Sequence, residues 1–148
     1  MIDFAQHPAY LAFAERVLGV KYDARAVTWL TSRGQNGSIL GVVVFSRFTT
    51  GNCEITVAAR SSHFITKRFA LAVAAYPFIQ MDCRRVTAII AVENEKSLGL
   101  AQQLGFRIEG TLKEWFPSGD AKILGLLRED CKWLKDYSNG FTRSTSST

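Results

Sequence analysis

Three places in the sequence carry side chains with chemistry to offer. Glu54 stands in Cys53-Glu54-Ile55-Thr56-Val57-Ala58-Ala59, a run otherwise apolar or small. From the sequence alone, a carboxylate set in such a strand would be expected to have its charged form penalised, as a general base working near neutrality requires. The alternation of Cys53, Ile55 and Val57 against Glu54 and Thr56 also fits a strand with Glu54 facing solvent. The second place is Thr66-Lys67-Arg68, which opens an Ala-rich, helix-favouring segment. Cations are disfavoured at a helix start, so two of them there point to a bound anion, with a solvated basic turn as the alternative. The third is Asn94, a good N-cap for the helical segment that follows. Cys53, Cys83 and Cys131 form no CxxC pair, have no His beside them in the local sequence and make no metal pattern with the two histidines. Neither a thiol nucleophile nor a metal site is expected.

Elements that could position these groups follow from the apolar spacing. Tyr10, Leu11, Phe13, Ala14, Val17 and Leu18 recur at helical intervals over Pro8 to Leu18, with Gly19 as a stop. Ala26 to Thr31, Ser38 to Thr49 and Cys53 to Ala59 read as three strands of an antiparallel meander, joined by turn-forming Arg33 to Gly37 and Thr50-Gly51-Asn52. A helix is expected over Thr66 to Gln80, its last turn kinked or shortened by Pro77. Arg85 to Val92 is β-branched and almost continuously apolar, as in a strand covered on both faces. A helix from Asn94 to Leu104 ends at Gly105, and two strands, Phe106 to Phe116 and Ala121 to Arg128, flank the turn Pro117-Ser118-Gly119-Asp120. The fold class expected is α/β, a sheet of mixed direction with helices on both faces.

At 148 residues, 47% hydrophobic and 21% charged, the chain can bury a core of its own. Residues 1–137 are expected to form one domain and 138–148, Ser-rich and polar, a disordered tail. Apolar runs break before about 18 residues, so no membrane span is expected, and the polar start Met1 to Tyr10 is not a signal peptide. Three unpaired cysteines suit a cytoplasmic protein. A net charge of +5 and a pI near 9.3 favour anionic partners, either a nucleic acid or a phosphate-rich small molecule.

The stretch from Arg84 to Trp133 resembles the GNAT superfamily of N-acetyltransferases. It is most similar to small members related to the ribosomal-protein N-terminal acetyltransferases. Asn94, Ser97, Leu104-Gly105-Phe106 and Glu109-Gly110-Thr111-Leu112 fall at the family's spacing, and with the preceding elements the resemblance spans roughly 26–135. It implies a mostly antiparallel twisted sheet in which two neighbouring parallel strands, here Cys53–Ala59 and Arg85–Val92, splay apart. The pantetheine arm of acetyl-CoA would then lie along the free backbone of Ile55 to Ala59, contacting Val57, Ala58 and Ala59, with an amide near Val57 or Ala58 meeting the oxyanion. The pyrophosphate would rest on the next helix start at Thr66, Lys67 and Arg68, with Asn94 and Ser97 contacting the cofactor from the following helix. Glu54 resembles the family's strand carboxylate and is the expected general base.

Two departures from the family stand out. Its phosphate loop should fall on His63-Phe64-Ile65-Thr66-Lys67-Arg68, where neither family glycine is present; Lys67 and Arg68 offset the loss in part. Many members carry a Tyr acid four residues before the Gly of Leu-Gly-Phe, and this chain has Ala101 there. Tyr22, Tyr76 and Tyr137 lie elsewhere, with Tyr76 expected to be a packing aromatic. The resulting expectation is an enzyme that passes an acetyl group from acetyl-CoA to a primary amine by direct attack. The acceptor is a protein α-amine, a lysine or a small amine, and the chain a monomer or homodimer. One rival is a GNAT-fold binding module or effector with weak or no catalysis. The other, nucleic-acid binding through Arg33, Arg47, Arg60, Lys67, Arg68, Arg84, Arg85 and Arg107, lacks a recognition motif and interleaved aromatics.

Overall fold

The apolar alternation of the first half builds a meander that is present in the computed structural model, which describes residues 1–59 and 65–135. The elements are β1 (Ile2–Asp3), α1 (Pro8–Leu18), β2 (Thr28–Arg33), β3 (Ile39–Thr49), β4 (Asn52–Ala59), α2 (Lys67–Ala75), β5 (Arg85–Ala91), α3 (Glu95–Leu104), β6 (Arg107–Phe116) and β7 (Gly119–Leu127). A π-helical turn, Tyr76–Gln80, continues α2, and a 3-10 turn, Arg128–Asp130, follows β7. The strands form one sheet in the order β1-β2-β3-β4-β5-β7-β6, antiparallel throughout except for β4 beside β5.

Residue parity decides what each face of the sheet buries. Val42, Val44 and Ala58 face α1 with Leu11, Phe13, Ala14, Val27 and Trp29. Val43, Phe45, Cys53 and Ile55 point the other way, into a larger core with Phe69, Val73 and Phe78 after β4 and Ala101, Leu104 and Phe106 around the end of α3. Helices thus cover both faces, as the resemblance implies.

The helix ends follow their capping residues. Pro8 begins α1, and Gly19 ends it at φ 69° with its N–H on the Glu15 carbonyl. Asn94 caps α3 through a bond from the Ser97 N–H at 3.2 Å, and Gly105 closes that helix at φ 107°. Pro77 cannot donate the next helical bond, so the register slips to π at Tyr76–Gln80 rather than ending the helix. The sequence reading missed β1, because two residues are too few to show a period. The Pro117-Ser118-Gly119-Asp120 tetrad tightens to a two-residue turn, since Phe116 pairs with Gly119. The expected tail 138–148 lies outside the described residues.

Candidate active site

β4 and β5 run side by side for only three residue pairs, Asn52 with Arg85, Cys53 with Val86 and Glu54 with Thr87. Beyond Glu54 they part. Each stays paired on its outer side, β4 to β3 as far as Ala59 with Gly41, and β5 to β7 as far as Ala91 with Ala121. Their inner backbone edges, Ile55–Ala59 and Ala88–Ala91, therefore face each other across a gap with no ladder between them. Backbone groups left this way seek a partner.

A polar chain closes the other end of the gap. The Thr87 hydroxyl donates to Asn52 Oδ1 at 2.8 Å and accepts from Arg85 Nε at 2.8 Å. The Arg85 guanidinium then grips Glu109 through both nitrogens at 2.6 and 3.0 Å, which holds the Glu109 carboxyl below the usual range. This pair lies across Gly125, where a Cβ would stand 2.6 Å from the Glu109 carboxylate and 2.9 Å from the guanidinium. A side chain at Gly125 would push this pair aside, and through the pair the Glu109-Gly110 of the sequence motif is tied to the base of the gap.

The gap opens into a cavity of about 930 Å³ lined from both faces of the sheet. One side is α3, with Asn94, Ser97 and Ala101; the other is the loop after α1, with Lys21, Tyr22 and Asp23, and the β6–β7 hairpin, with Trp115, Phe116 and Ser118. Glu54 stands on the cavity wall as the last paired residue before the strands part, its side chain 23% exposed and Oε2 3.5 Å from Arg47 Nε. It faces the cavity, so the reading of Glu54 as an outward strand residue describes its face of the sheet but not its surroundings.

Val57 also lines the cavity, as do Asn94 and Ser97. Asn94 is at once the cap of α3 and a wall residue, two compatible roles. Ala58 is wholly buried beneath α1 and Ala59 half-buried at the end of β4, and neither is among the cavity-lining residues. Thr66 caps α2 by accepting from the Phe69 N–H at 3.1 Å, and Lys67 and Arg68 stand exposed in its first turn. These three are not among the cavity-lining residues. Residues 60–64, which connect β4 to α2 and include Arg60, His63 and Phe64, lie outside the described residues, as does Tyr137.

Ala101 offers a methyl group to the cavity where many family members would present a phenol. Tyr76 packs on Phe45 at 4.7 Å between ring centroids, and its hydroxyl is engaged by the Thr28 hydroxyl at 2.9 Å. Tyr22 is the cavity's phenol among the described residues. Burial raises its pKa, a bond to Thr56 opposes this, and the nearby charge of Glu54 adds to it, so the hydroxyl keeps its proton. The cysteines stay out of the chemistry: burial pushes the Cys53 thiol up to about 12, and Cys83 and Cys131 rise for the same reason. Of the basic residues that raised nucleic-acid binding, Arg33, Arg47 and Arg85 are paired with Asp3, Glu54 and Glu109.

Tyr22, Arg47 and Trp115 were not singled out as site residues from sequence. Tyr22 arrives on a loop with no local pattern. Arg47 left a trace, since Ser46-Arg47 interrupts the apolar run of β3, and an aromatic pair before a turn marks Trp115 and Phe116. Among the described residues no group of three or more His, Cys, Asp or Glu could hold a metal ion, and no helix is long and apolar enough to cross a membrane.

The family model of the acetyltransferase (GNAT) domain matches residues 4–107. No curated protein sequence matches the chain. Among solved structures, the spermidine/spermine N-acetyltransferase SpeG from Vibrio cholerae, in complex with manganese ions, aligns over 92% of this chain and 95% of its own at 18% identity and TM-score 0.67. A ribosomal-protein-S5-alanine acetyltransferase from Vibrio fischeri aligns over 73% of this chain and 65% of its own at 21% identity and TM-score 0.62. A SpeG chimera of Vibrio cholerae and hSSAT, described as a spermidine N-acetyltransferase, aligns over 74% and 70% at 20% identity and TM-score 0.62. At these identities the likeness is one of fold.

Proposed function

The chain belongs to the GNAT acetyltransferase family, an N-acetyltransferase using acetyl-CoA, and from that premise we propose how its own residues divide the work. The observation that carries the assignment is the pair of unladdered strand edges, Ile55–Ala59 and Ala88–Ala91, flanking the cavity. The pantetheine amides fit there as a pseudo-strand against Val57, Ala58 and Ala59. The pyrophosphate goes to the start of α2, where the first amides lack helical partners and Thr66, Lys67 and Arg68 stand exposed. Asn94 and Ser97 contact the donor from α3.

In this reading the acceptor ammonium gives one proton to Glu54, directly or through one water, and becomes a nucleophile. Its nitrogen bonds to the thioester carbon and the C–S bond breaks with the electron pair left on sulfur. The proton released as the amide forms restores the CoA thiol. An amide near Val57 or Ala58 steadies the oxyanion. One chain carries every group the scheme uses, so the reading needs no second subunit. Free, buried cysteines support a cytoplasmic setting.

Thermal melting with acetyl-CoA, followed by detection of free thiol with a panel of amines, tests the proposal. Acetyl-CoA at a hundred times its Kd should add about 2.7 kcal/mol of stability, and a matching amine should release CoA. No rise in Tm at millimolar acetyl-CoA would sink the donor assignment. Protection without thiol release for any amine would favour the binding-module reading.

A further inference from the structure

The acceptor side of the cavity has a charge pattern that selects among amines. Its charged wall residues are Lys21, Asp23, Arg47 and Glu54, two of each sign. Both carboxylates are already engaged: Asp23 by Arg25 at 3.2 Å, and Glu54 by Arg47 at 3.5 Å. A cationic acceptor reaches Glu54 by taking the place of the Arg47 guanidinium beside it. An acceptor with an anionic group beside its amine would find Lys21 and Arg47.

Arg47 is built into this spot at a cost. It occupies the left-handed region at φ 49°, in a bulge where β3 and β4 lose register between Ser46 and Thr49. A non-glycine side chain there is strained, and bulges of this kind re-aim side chains beside active sites. The bulge turns the guanidinium toward Glu54. The resulting contact is long and the Arg47 side chain 68% exposed, so the pair is weak and its partners can be exchanged. Tyr22 lies within electrostatic reach of Glu54, and Trp115 and Phe116 add aromatic surface to the wall of the same cavity, with Trp115 46% exposed.

We propose that the acetyl acceptor is a free α-amino acid with a large apolar side chain. Its ammonium meets Glu54, its carboxylate takes the Arg47 guanidinium with Lys21 nearby, and its side chain rests on Tyr22 and Trp115. The spacing agrees, because the nitrogen and carboxyl carbon of an α-amino acid are separated by two bonds of about 1.5 Å each. Opposite charges that close fit partners that themselves lie 3.5 Å apart. The inference rests on Glu54 as the base and on acetyl-CoA as the donor.

The test compares acceptors with and without a free carboxylate beside the amine. Wild-type protein with saturating acetyl-CoA is assayed for CoA release with L-phenylalanine, phenylalaninamide, phenethylamine, spermidine and a short peptide beginning with phenylalanine. Phenylalanine should be used best, with kcat/KM about tenfold or more above phenethylamine, the scale of one charge-assisted hydrogen bond. In Arg47→Gln the ratio of kcat/KM for phenylalanine over phenethylamine should fall by about the same factor, and Arg47→Lys should restore part of it. Gln keeps the Cβ at the bulge, and the melting point of each variant with acetyl-CoA verifies folding. Equal use of phenethylamine, preference for spermidine or the peptide, or an unchanged ratio in Arg47→Gln would overturn the inference. Acetyl-CoA protection with no acetylation of phenylalanine would overturn it alone, whereas loss of that protection in the wild type would overturn the donor reading as well.

Discussion

Glu54 stands where the parallel ladder ends, on a cavity wall and beside a guanidinium. If it is the base, Glu54→Gln keeps its shape and should leave acetyl-CoA affinity nearly unchanged. The rate should drop about a hundredfold to ten-thousandfold, with partial recovery at high pH, where the acceptor amine is already neutral. Coincident pH–rate profiles for wild type and variant would make Glu54 a bystander. At this scale the sequence was readable only where a residue's role is local. Glu54 could be picked out because a lone carboxylate in an apolar strand is chemically conspicuous, and Asn94 because an N-cap is set by its immediate neighbours. Arg47 and Tyr22 reach the cavity through a bulge and a loop, and the bulge exists only relative to the strand it pairs with. Arg85 and Glu109 are 24 positions apart, and the pairing of β5 and β6 with β7 brings them together across Gly125.

The start of α2 concentrates the element-scale question, because its sequence runs against the usual charge preference of a helix N-terminus. Thr66 satisfies one of the first amides, and Lys67 and Arg68 add positive charge where the dipole is already positive. A phosphate group would relieve that repulsion. Replacing both residues with Gln should weaken CoA binding by about 1–3 kcal/mol, and wild-type affinity should fall with added salt while the double variant responds less. Equal CoA affinity in calorimetric titrations of the two proteins would reduce the pair to a basic surface. Helix boundaries were largely legible, since Pro8, Gly19, Asn94 and Gly105 act through local backbone geometry. The sequence marks Pro77 as a place where the last turn kinks or shortens, but whether a freed bond ends a helix or slips its register depends on packing. Pro77 and Phe78 are buried there, which holds the extra turn in place.

On the scale of the whole molecule, the two parts of the sheet meet through only three residue pairs. The core under α1 is drawn entirely from residues before 60, while the larger core takes residues from both parts. A donor lying between β4 and β5 would complete the sheet, so amide hydrogen exchange should slow on adding acetyl-CoA. The slowing should be greatest at the inward-pointing amides within Ile55–Ala59 and Ala88–Ala91 and slight at those already bonded to β3 or β7. Uniform slowing across the chain would mean only general stabilisation. The mixed sheet and the free edge from Ile55 to Ala59 were legible from strand order and family spacing; the polar chain that braces the base of the gap was not, because the Thr87–Asn52 bond is a contact between residues 35 positions apart. In the language of fracture the gap is a crack, and its tip lies at Glu54 and Thr87. The bond from Thr87 to Asn52 sits just behind the tip and arrests it. From that tip the two unladdered edges run out to Ala59 on one arm and Ala91 on the other, each arm held only from its outer side. A long flexible donor has those open edges to lie along, while the carboxylate stands at the closed end, where the ladder fixes its backbone.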